Sequence, residues 1–485
     1  MRKVGWCKTA CAICVLCAVT AIASPAQTFT TLHSFDNTDG GNPYAGLIQA
    51  TDGNLYGTTT SGGTNSGGTV FEVTPGGTLM TLYNFCALER CLDGEAPYAA
   101  LLQDNDGNFY GTTNEGGTGG EPAGTVFKIT TDGTLTTLYN FCSQPGCTDG
   151  ESPWAPLVQG VDGSLFGTTF TGGVAAGYGT AFGITTGGKL TTLSALDSTD
   201  GANPKSSLVQ TADGFYGTTV TGGANGLGSG TVFRITPSGS LTTLYDFCSQ
   251  TGCADGDEPE AGLVEARNGD FYGTTAGGGS SSACLGGCGT IFQITPGGTL
   301  TTLHSFDGTD GSSPYAALIQ ASDGNLYGTT TSGGTNNNGT VFKVTLGGAL
   351  KTLYNFCSQS GCADGGMPSA SLIQDTSGKF YGTTQLGGSS SCAGGCGTVF
   401  SLAVGLGPFV ETLPGSGKVG ARVGILGTNL TGATSVTFNG TPAIFQVVSG
   451  SLITTTVPPG ATTGKVQVVT PGGTLTSNVP FRVLP

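Results

Sequence analysis

The sequence predicts an all-β protein: a seven-bladed β-propeller of four-stranded blades, followed by an immunoglobulin-like β-sandwich. Three observations predict this fold class. The motif (Leu/Phe)-(Tyr/Phe)-Gly-Thr-Thr recurs at intervals of 50 to 56 residues, and such a period is typical of propeller blades. No segment has a sustained apolar period of 3.6 residues, so helix is nearly excluded. The repeats stop after residue 404, where another strand pattern begins. The motif glycines are Gly57, Gly111, Gly167, Gly217, Gly273, Gly328 and Gly382.

Each repeat carries four strand signals, and the second full unit illustrates them. The signals lie at 99–103, 108–113, 124–130 and 135–141, and they are rich in Thr, Val, Tyr and Phe. Asp-Gly precedes the second signal and Thr-Asp-Gly the fourth, and both are tight-turn sequences. A Gly-rich stretch separates the second signal from the third. Each unit is therefore expected to be a four-stranded antiparallel meander.

The two ends of the array predict a closed ring. The outermost-strand motif Thr-Leu-(Tyr/His)-x-Phe first occurs at 31–35, before any complete unit, and the last unit stops at 400–404 without its own copy. A strand at about 28–35 should therefore complete the seventh blade and remove the open sheet edges. An open solenoid is the alternative, but it would be expected to carry distinct capping repeats at both ends.

Residues 1–26 are predicted to be a signal peptide. Basic residues flank an apolar run at 10–23 that ends in small residues, and cleavage is expected after Ala23 or Ala26. A retained anchor is the alternative, but the run is shorter than the ~20 residues of a spanning helix. The mature protein is thus expected to be secreted, extracellular or at the cell surface, with no membrane span.

Charge excludes some partners. The net charge of −15 and the low content of Lys and Arg argue against nucleic acid and against an anionic membrane surface. An extracellular glycan or protein is the expected kind of ligand.

Cysteine spacing predicts six local disulfides. Four of the 16 cysteines lie within residues 1–26, and the rest form close pairs. Their even number, matching positions and the predicted export favour disulfides. Zinc would need neighbouring pairs to cooperate, with only His33 and His304 as nitrogen ligands, so no metal site is expected. The predicted pairs are Cys86–Cys91, Cys142–Cys147, Cys248–Cys253, Cys284–Cys288, Cys357–Cys362 and Cys392–Cys396.

Strand parity divides the loops between two faces of the ring. The loops within the first and last strand pairs of each blade are short Asp-Gly or Pro-Gly-Gly turns. The other loops are long, varied and acidic, and they hold all six predicted disulfides. This second face, the long-loop face, is where recognition is expected, because rigid scaffolds usually present function on loops.

Every loop that leads into an innermost strand ends in Asp-Gly-x-x-Pro. Seven carboxylates on one face could bind cations, with calcium as a possible cofactor, or sugar hydroxyls. In the alternative, each Asp hydrogen-bonds its own turn and the proline fixes the start of the strand. The candidate ligand-binding residues of this motif are Asp39, Asp93, Asp149, Asp200, Asp255, Asp310 and Asp364.

Glu265 is a further candidate ligand-binding residue. It stands where the other six innermost strands end in glutamine, with Glu258 and Glu260 nearby in the sequence, and a lone carboxylate facing a channel can act as an acid or base. Variation between repeats is the alternative. Cross-blade hydrogen bonds are the simpler explanation for the glutamines, which are Gln49, Gln103, Gln159, Gln210, Gln320 and Gln374.

His33 and His304 replace tyrosine in the outermost-strand motif and are interpreted as packing residues. With no third histidine, a Ser-His-Asp or two-histidine metal site is hard to build, and no catalytic residue is assigned.

The residues after Val404 resemble a known family of small β-sandwiches. Residues 405–407 form a linker, and 408–485 alternate Val, Thr and Ile with Pro and Gly turns. The segments 424–430 (Gly-Ile-Leu-Gly-Thr-Asn-Leu), 436–440 and 457–464 resemble the IPT/TIG immunoglobulin-like domain. That family contains binding, spacer and stalk modules. The propeller is expected to span 27–404, and its repeats, at about 28–404, resemble the bacterial GloVer tandem repeat. This resemblance implies an exported, often surface-anchored protein of unassigned activity.

Three functions remain open. The first is an exported, non-enzymatic binding or adhesion protein that recognises carbohydrate through the long-loop face. The second is a structural component of a surface assembly, which would show as self-association. The third is a lyase or hydrolase directed at a polysaccharide or antibiotic, which a cluster of non-repeated acidic and aromatic residues on one loop face would favour.

Overall fold

The computed structural model of the protein describes residues 27–118, 123–174, 177–226 and 228–484. The predicted signal peptide at 1–26 lies outside these ranges. Within them, helix is limited to four 3₁₀ turns, and no helix has the length and apolar character needed to cross a membrane. The 3₁₀ turns are Glu89–Cys91, Pro145–Cys147, Thr251–Cys253 and Ser360–Cys362.

Seven four-stranded antiparallel sheets form a propeller, which confirms the predicted fold class. The blades are numbered 1 to 7 from the one that starts at Ile48. The innermost strands are Ile48–Gln49, Leu102–Gln103, Val158–Gln159, Val209–Gln210, Val264–Glu265, Ile319–Gln320 and Ile373–Gln374. The second strands are Leu55–Thr59, Phe109–Thr113, Leu165–Thr169, Phe215–Thr219, Phe271–Thr275, Leu326–Thr330 and Phe380–Thr384. The third strands are Thr69–Val73, Thr125–Ile129, Thr180–Ile184, Thr231–Ile235, Thr290–Ile294, Thr340–Val344 and Thr398–Ala403. The outermost strands of blades 1 to 6 are Leu79–Asn84, Leu135–Asn140, Leu190–Ala195, Leu241–Asp246, Leu300–Ser305 and Leu350–Asn355.

The N-terminal strand closes the ring, as predicted. Thr28–Ser34 is the outermost strand of blade 7 and pairs antiparallel with Thr398–Ala403, with Thr28 opposite Ala403. Two segments from opposite ends of the propeller thus share one sheet, and the ring leaves no blade with an unpaired third strand.

The two threonines of Gly-Thr-Thr have different tasks. In blade 1 the second, Thr59, is buried, and its Oγ1 lies 2.8 Å from Oγ1 of Thr69 on the next strand. The first, Thr58, donates to the carbonyls of Pro97 and Ala99 in blade 2, at 3.2 and 3.1 Å. The bonds donated by Thr58 explain why the innermost strands are shorter than predicted. The carbonyls that precede Leu102 are bound by the neighbouring blade and not by their own sheet.

Aromatic side chains fill the space between blades. Tyr56 of blade 1 packs on Phe109 of blade 2 with ring centroids 4.3 Å apart, and Phe85 packs edge-on against Phe127 at 5.3 Å. All four rings are at most 1% exposed. Gly57 has no room for a side chain, because a Cβ there would lie 2.7 Å from the Phe71 ring and 2.8 Å from Leu47. The repeated aromatic and glycine positions therefore specify how one blade packs on the next.

The C-terminal segment folds as a separate β-sandwich with its own core, which includes Ile425, Phe438, Ile453 and Val468. One sheet has the order Glu411–Leu413, Arg422–Leu426, Leu452–Thr456, Phe445–Val447. The other has the order Thr441–Pro442, Ser435–Phe438, Val466–Thr470, Gly473–Thr476. A parallel pair joins Ser416–Lys418 to Arg482–Leu484.

The sandwich contacts the face of the propeller that carries the short Asp-Gly and Pro-Gly-Gly turns, which we call the short-turn face. Ser451 Oγ donates to the Thr51 carbonyl at 3.2 Å, and the Phe409 amide donates to the Thr376 carbonyl at 3.0 Å. Arg267 Nε donates to the Asn478 carbonyl at 3.1 Å. These contacts reach blades 1, 7 and 5, and they leave the long-loop face uncovered by this domain.

Candidate functional site

The aspartates of Asp-Gly-x-x-Pro lie in the turns to which they belong. Asp93 accepts hydrogen bonds from Tyr83 Oη at 2.8 Å and from the amides of Ala87 and Leu88 at 2.9 and 3.0 Å. It is 1% exposed. In three other blades the equivalent tyrosine hydroxyl and backbone amide donate to the aspartate of the motif. These aspartates are Asp149, Asp255 and Asp364.

The blades without this disulfide loop use other partners. His33 and His304 lie edge-on to Phe35 and Phe306, as packing residues would, and each Nε2 is also 2.7 Å from the carboxylate of Asp39 or Asp310. Burial and the charge of Asp197 raise the pKa of Asp200. The Asp36 and Asp307 amides donate to Asp39 Oδ1 and Asp310 Oδ1, each at 3.0 Å. Hydrogen bonding to the motif's own turn is thus confirmed for six of the seven aspartates, and a ligand-binding role for them stays a prediction.

The six predicted disulfides are all present. Four lie between an outermost strand and the next innermost strand, and two lie between the second and third strands of blades 5 and 7. Among the described residues, the one grouping with the geometry for a metal ion is Cys86, Cys91 and Glu95. Its two sulfurs are joined to each other, and a disulfide sulfur is not the thiolate that a metal needs.

The inner-strand glutamines form cross-blade hydrogen bonds, as predicted. Gln103 Oε1 accepts from the Thr51 amide at 2.9 Å, and Gln49 Oε1 accepts from the Thr376 amide at 3.0 Å. Glu265 occupies the same register in blade 5. Glu258 and Glu260, its neighbours in sequence, lie at the opposite end of that innermost segment, so the three carboxylates do not form one group.

The channel mouth is the opening of the central channel on the long-loop face. Its walls come from one position in every repeat, the residue that follows the proline of Asp-Gly-x-x-Pro. All seven innermost segments run in the same direction, so this position forms a ring at one height. The cavity there has a volume of about 170 Å³, and the ring consists of Tyr44, Tyr98, Trp154, Lys205, Glu260, Tyr315 and Ser369.

One side of the channel mouth is an aromatic wall. The rings of Tyr98 and Trp154 stack with centroids 4.3 Å apart and planes 24° apart. Tyr44 meets both of them edge-on, at 5.3 and 6.2 Å. Phe170 lies 5.7 Å from Trp154. Three neighbouring blades thereby present partly exposed rings to the channel.

The other side of the mouth carries an ion pair. Lys205 Nζ lies 3.0 Å from Glu260 Oε2 and 5.0 Å from the centre of the Trp154 ring. The lysine therefore joins the carboxylate to the aromatic wall by a cation–π contact. Burial and the negative charge of Glu260 raise the pKa of both Tyr44 and Tyr315. At neutral pH the two phenols therefore remain protonated.

Sequence analysis did not identify the channel mouth, although a signal for it exists. The proline is the same in all seven repeats, whereas the residue after it is Tyr, Tyr, Trp, Lys, Glu, Tyr or Ser. A position that varies within an otherwise regular repeat is free of the demands of blade packing. Such variation at the start of every innermost strand indicates a surface on which the seven repeats differ in chemistry.

Comparison with known families confirms both predicted resemblances. The model of the Gloeobacter/Verrucomicrobia repeat matches residues 17–148, 143–286 and 281–424, and the IPT/TIG domain model matches 410–483. No curated protein matches the chain.

Solved structures with a similar fold include enzymes and a binding protein. The periplasmic gluconolactonase of Pseudomonas aeruginosa is 17% identical, with a TM-score of 0.42, over 72% of this chain and 99% of the other. An auxiliary nutrient binding protein from Bacteroides thetaiotaomicron is 14% identical, with a TM-score of 0.42, over 78% and 76% of the two chains. A putative oxidoreductase (glucose dehydrogenase) from Thermus thermophilus is 13% identical, with a TM-score of 0.39, over 78% and 100%. Similarity at this level does not indicate a shared function.

Proposed function

This chain belongs to the Gloeobacter/Verrucomicrobia repeat family, and we propose that it is an exported, non-enzymatic binding protein that holds a glycan at its channel mouth. The observation that carries this proposal is the wall of Tyr98 and Trp154 beside the Lys205–Glu260 ion pair. The wall offers partly exposed aromatic rings, and the pair offers charged hydrogen-bonding groups at its edge.

The aromatic wall suits the apolar face of a sugar ring. The axial C–H groups of a pyranose form a flat apolar patch, and aromatic side chains supply large, rigid contact area with few rotatable bonds. Tyr44 and Tyr98 add hydroxyl groups at the margin of that area. A ligand that is apolar on one face and rich in hydroxyls at its edge matches both features.

The ion pair suits the hydroxyl groups of a sugar. Lys205 and Glu260 are 20% and 13% exposed in their side chains, so both are largely withdrawn from water. Hydrogen bonds that involve a charged partner are stronger than those between neutral groups. Because the two charges neutralise each other, the mouth favours a neutral ligand over a strongly charged one.

The size of the cavity favours the end of a glycan chain. At about 170 Å³ it is smaller than the ~300 Å³ at which sites for drug-sized ligands begin. One terminal sugar residue would enter the mouth, and the rest of the chain would extend along the long-loop face.

Export is supported by the disulfides. Six disulfides on one face are typical of an oxidising compartment outside the cytosol. They lie in the loops around the channel mouth, where they restrict loops that have little regular structure. The C-terminal domain contacts the opposite face and would serve as the spacer or attachment module.

The test uses Trp154 as its own reporter. The chain has two tryptophans, and the other, Trp6, lies in the predicted signal peptide. In protein produced from residue 27 onward, tryptophan fluorescence therefore reports on the channel mouth alone. A glycan array, read with and without calcium, would identify ligands, and fluorescence titration would measure their affinity.

Two variants locate the site. Tyr98→Ala removes the ring stacked on Trp154 and keeps the reporter, and we expect roughly tenfold weaker binding. Leu285→Ala is the control, because Leu285 is fully exposed on the same face and lies outside the mouth. The absence of binding to any glycan on the array, or unchanged binding by Tyr98→Ala, would contradict the proposal.

An enzyme is the second candidate, favoured by the acidic and aromatic cluster itself. Glu258 lies near Glu260, and burial with the charges of Asp257 and Glu260 raises the pKa of Glu258. A pair of carboxyl groups at the site is what glycoside hydrolysis requires. Glycans that bind on the array would be incubated with the protein and then analysed by chromatography, which distinguishes an enzyme from a binding protein. Released fragments that vanish in Glu258→Gln would establish a hydrolase or lyase, and intact glycans would support binding alone.

A further inference from the structure

A second cavity, of about 630 Å³, lies between the propeller and the C-terminal domain. We name it the interdomain cavity. Its propeller wall is made by the ends of innermost strands, including Gln159, Gln210 and Glu265, and its other wall includes Pro480 and Arg482. It is at the opposite end of the innermost strands from the channel mouth, so a ligand here would be independent of a glycan there.

Glu265 is the exception among the ends of the innermost strands, of which Gln103, Gln159, Gln210 and Gln320 also line this cavity. Gln320 Oε1 accepts from the Arg267 amide at 3.0 Å, and Gln374 Oε1 accepts from the Ser322 amide at 2.9 Å. Within the described parts of the chain, the Glu265 carboxylate has no hydrogen bond or ion pair. It therefore faces the interdomain cavity without the cross-blade bond that its counterparts form.

Arg482 brings a positive charge to the facing wall. Two other cations near this wall are already engaged, since Arg267 Nε donates to the Asn478 carbonyl and Lys465 Nζ donates to the Ser477 carbonyl at 2.9 Å. The Arg482 guanidinium forms no side-chain hydrogen bond or ion pair with any described residue, Glu265 included. Its charge still acts on Glu265, where it opposes the upward shift of the pKa that burial causes.

The Glu265 carboxylate and the Arg482 guanidinium line one cavity without pairing with each other, and together they form a two-point site. We propose that the interdomain cavity binds a small zwitterion, a free amino acid or the unblocked end of a short peptide. Its ammonium group would pair with Glu265 and its carboxylate with Arg482, in the bidentate geometry that guanidinium groups favour.

The repeat itself supplies the cleanest variant. Glu265→Gln restores the residue that the other six blades carry, so the fold has six precedents for it. We would titrate protein from residue 27 onward with glycine, diglycine and triglycine by calorimetry. N-Acetyl-diglycine and diglycine amide, which each lack one charge, serve as matched ligands.

We expect at least one of the three zwitterions to bind, and each blocked form to bind roughly tenfold more weakly or not at all. Glu265→Gln and Arg482→Met should each weaken binding by a similar factor. Arg422→Met is the control, because Arg422 is an exposed arginine of the same domain outside the cavity.

Three results would overturn the inference: no binding of any zwitterion, equal binding of the blocked forms, or wild-type affinity in Glu265→Gln. The fluorescence of Trp154 keeps this test separate from the proposed function. Glu265→Gln should leave glycan binding at the channel mouth unchanged, and Tyr98→Ala should leave zwitterion binding unchanged.

Discussion

Lys205 and Glu260 form an ion pair at the channel mouth, with Lys205 Nζ 3.0 Å from Glu260 Oε2, although 55 residues separate them in the chain. They occupy the same register in blades 4 and 5. The pair thus links two neighbouring innermost segments and places one positive and one negative charge beside an aromatic wall.

Removal of either partner should destabilise the protein more than removal of both. Both side chains are largely buried, so Glu260→Gln leaves the Lys205 charge without its counter-ion, and we expect a loss of about 1 kcal/mol in the free energy of unfolding. The double variant Lys205→Met/Glu260→Gln should recover part of this loss. Urea unfolding measures all three proteins, and equal stability of the single and double variants would contradict the prediction.

Glu265→Gln should stabilise the protein at neutral pH. The glutamine side-chain amide can donate to the Gly269 carbonyl, as Gln103 and Gln320 donate to the carbonyls of Gly107 and Gly324. A carboxylate cannot donate this bond, which is worth about 1 kcal/mol. Partial burial raises the pKa of Glu265 above 4.5 in the folded state, although the residue keeps substantial exposure to solvent. Protonation of this group therefore favours the folded protein. That contribution is fully present below pH 4.5 and is lost as pH rises through the folded pKa.

The advantage of Glu265→Gln should therefore be largest at neutral pH and shrink on acidification toward pH 4.5. Unfolding free energies measured between pH 4 and pH 8 test this trend. A variant less stable than the wild type at neutral pH would show that Glu265 has a stabilising partner.

Tyr354→Phe should cost about 1 kcal/mol at neutral pH. Tyr354 Oη donates to Asp364 Oδ2 at 2.8 Å, whereas the stacking of its ring on Phe29 at 3.8 Å survives in the variant. Burial, and next the neighbouring Asp364, raises the pKa of Tyr354 from 10.0 to about 12. The contribution of the protonated phenol is fully present below pH 10 and is lost as pH rises toward 12.

Chemical unfolding of wild type and Tyr354→Phe at pH 7 and above pH 10 measures this effect. The difference between the two proteins should narrow in alkaline solution. A difference that stays constant to pH 11.5 would mean that the phenol does not titrate differently in the folded and unfolded states.

Protein produced from residue 37 onward should aggregate and should not remain monomeric. This removes Thr28–Ser34 and leaves the strand Thr398–Ala403 with an unpaired edge. Exposed edges pair with other chains, so we expect aggregation, with protein that starts at residue 27 as the control. Size-exclusion chromatography shows the outcome. A stable monomer that unfolds like the control would contradict the closure of the ring by this strand.

The repeat, the number of blades and the disulfide pairs were predictable because their determinants are local and occur many times. Thr59 and Thr69 belong to one blade, and Cys86 and Cys91 to one loop. The threonine pair recurs in every blade, with its members 10 to 15 positions apart, and the spacing of Cys86 and Cys91 recurs in three other loops. The lengths of the innermost strands were not predictable, because their carbonyls are bound by threonines of the neighbouring blade, such as Thr58.

The partners of the candidate aspartates were also beyond sequence analysis. Tyr83 and Asp93 lie ten residues apart, on a strand and in a loop, and no periodicity indicates that the phenol reaches the carboxylate. The contact of the C-terminal domain with the short-turn face could not be predicted from the sequence for a similar reason. Arg267 and Asn478 are 211 residues apart, and neither belongs to a recognisable motif.

The sequence by itself determined the propeller, its closure, the Ig-like domain and the face that carries the long loops. Only the tertiary structure decided that Tyr98, Trp154, Lys205 and Glu260 line one opening, and that Glu265 and Arg482 line another. The physical reason is that blade packing repeats the same interaction seven times, which leaves a strong periodic signal. A binding site depends instead on how the repeats differ, and those differences acquire meaning only when ring closure brings distant residues together.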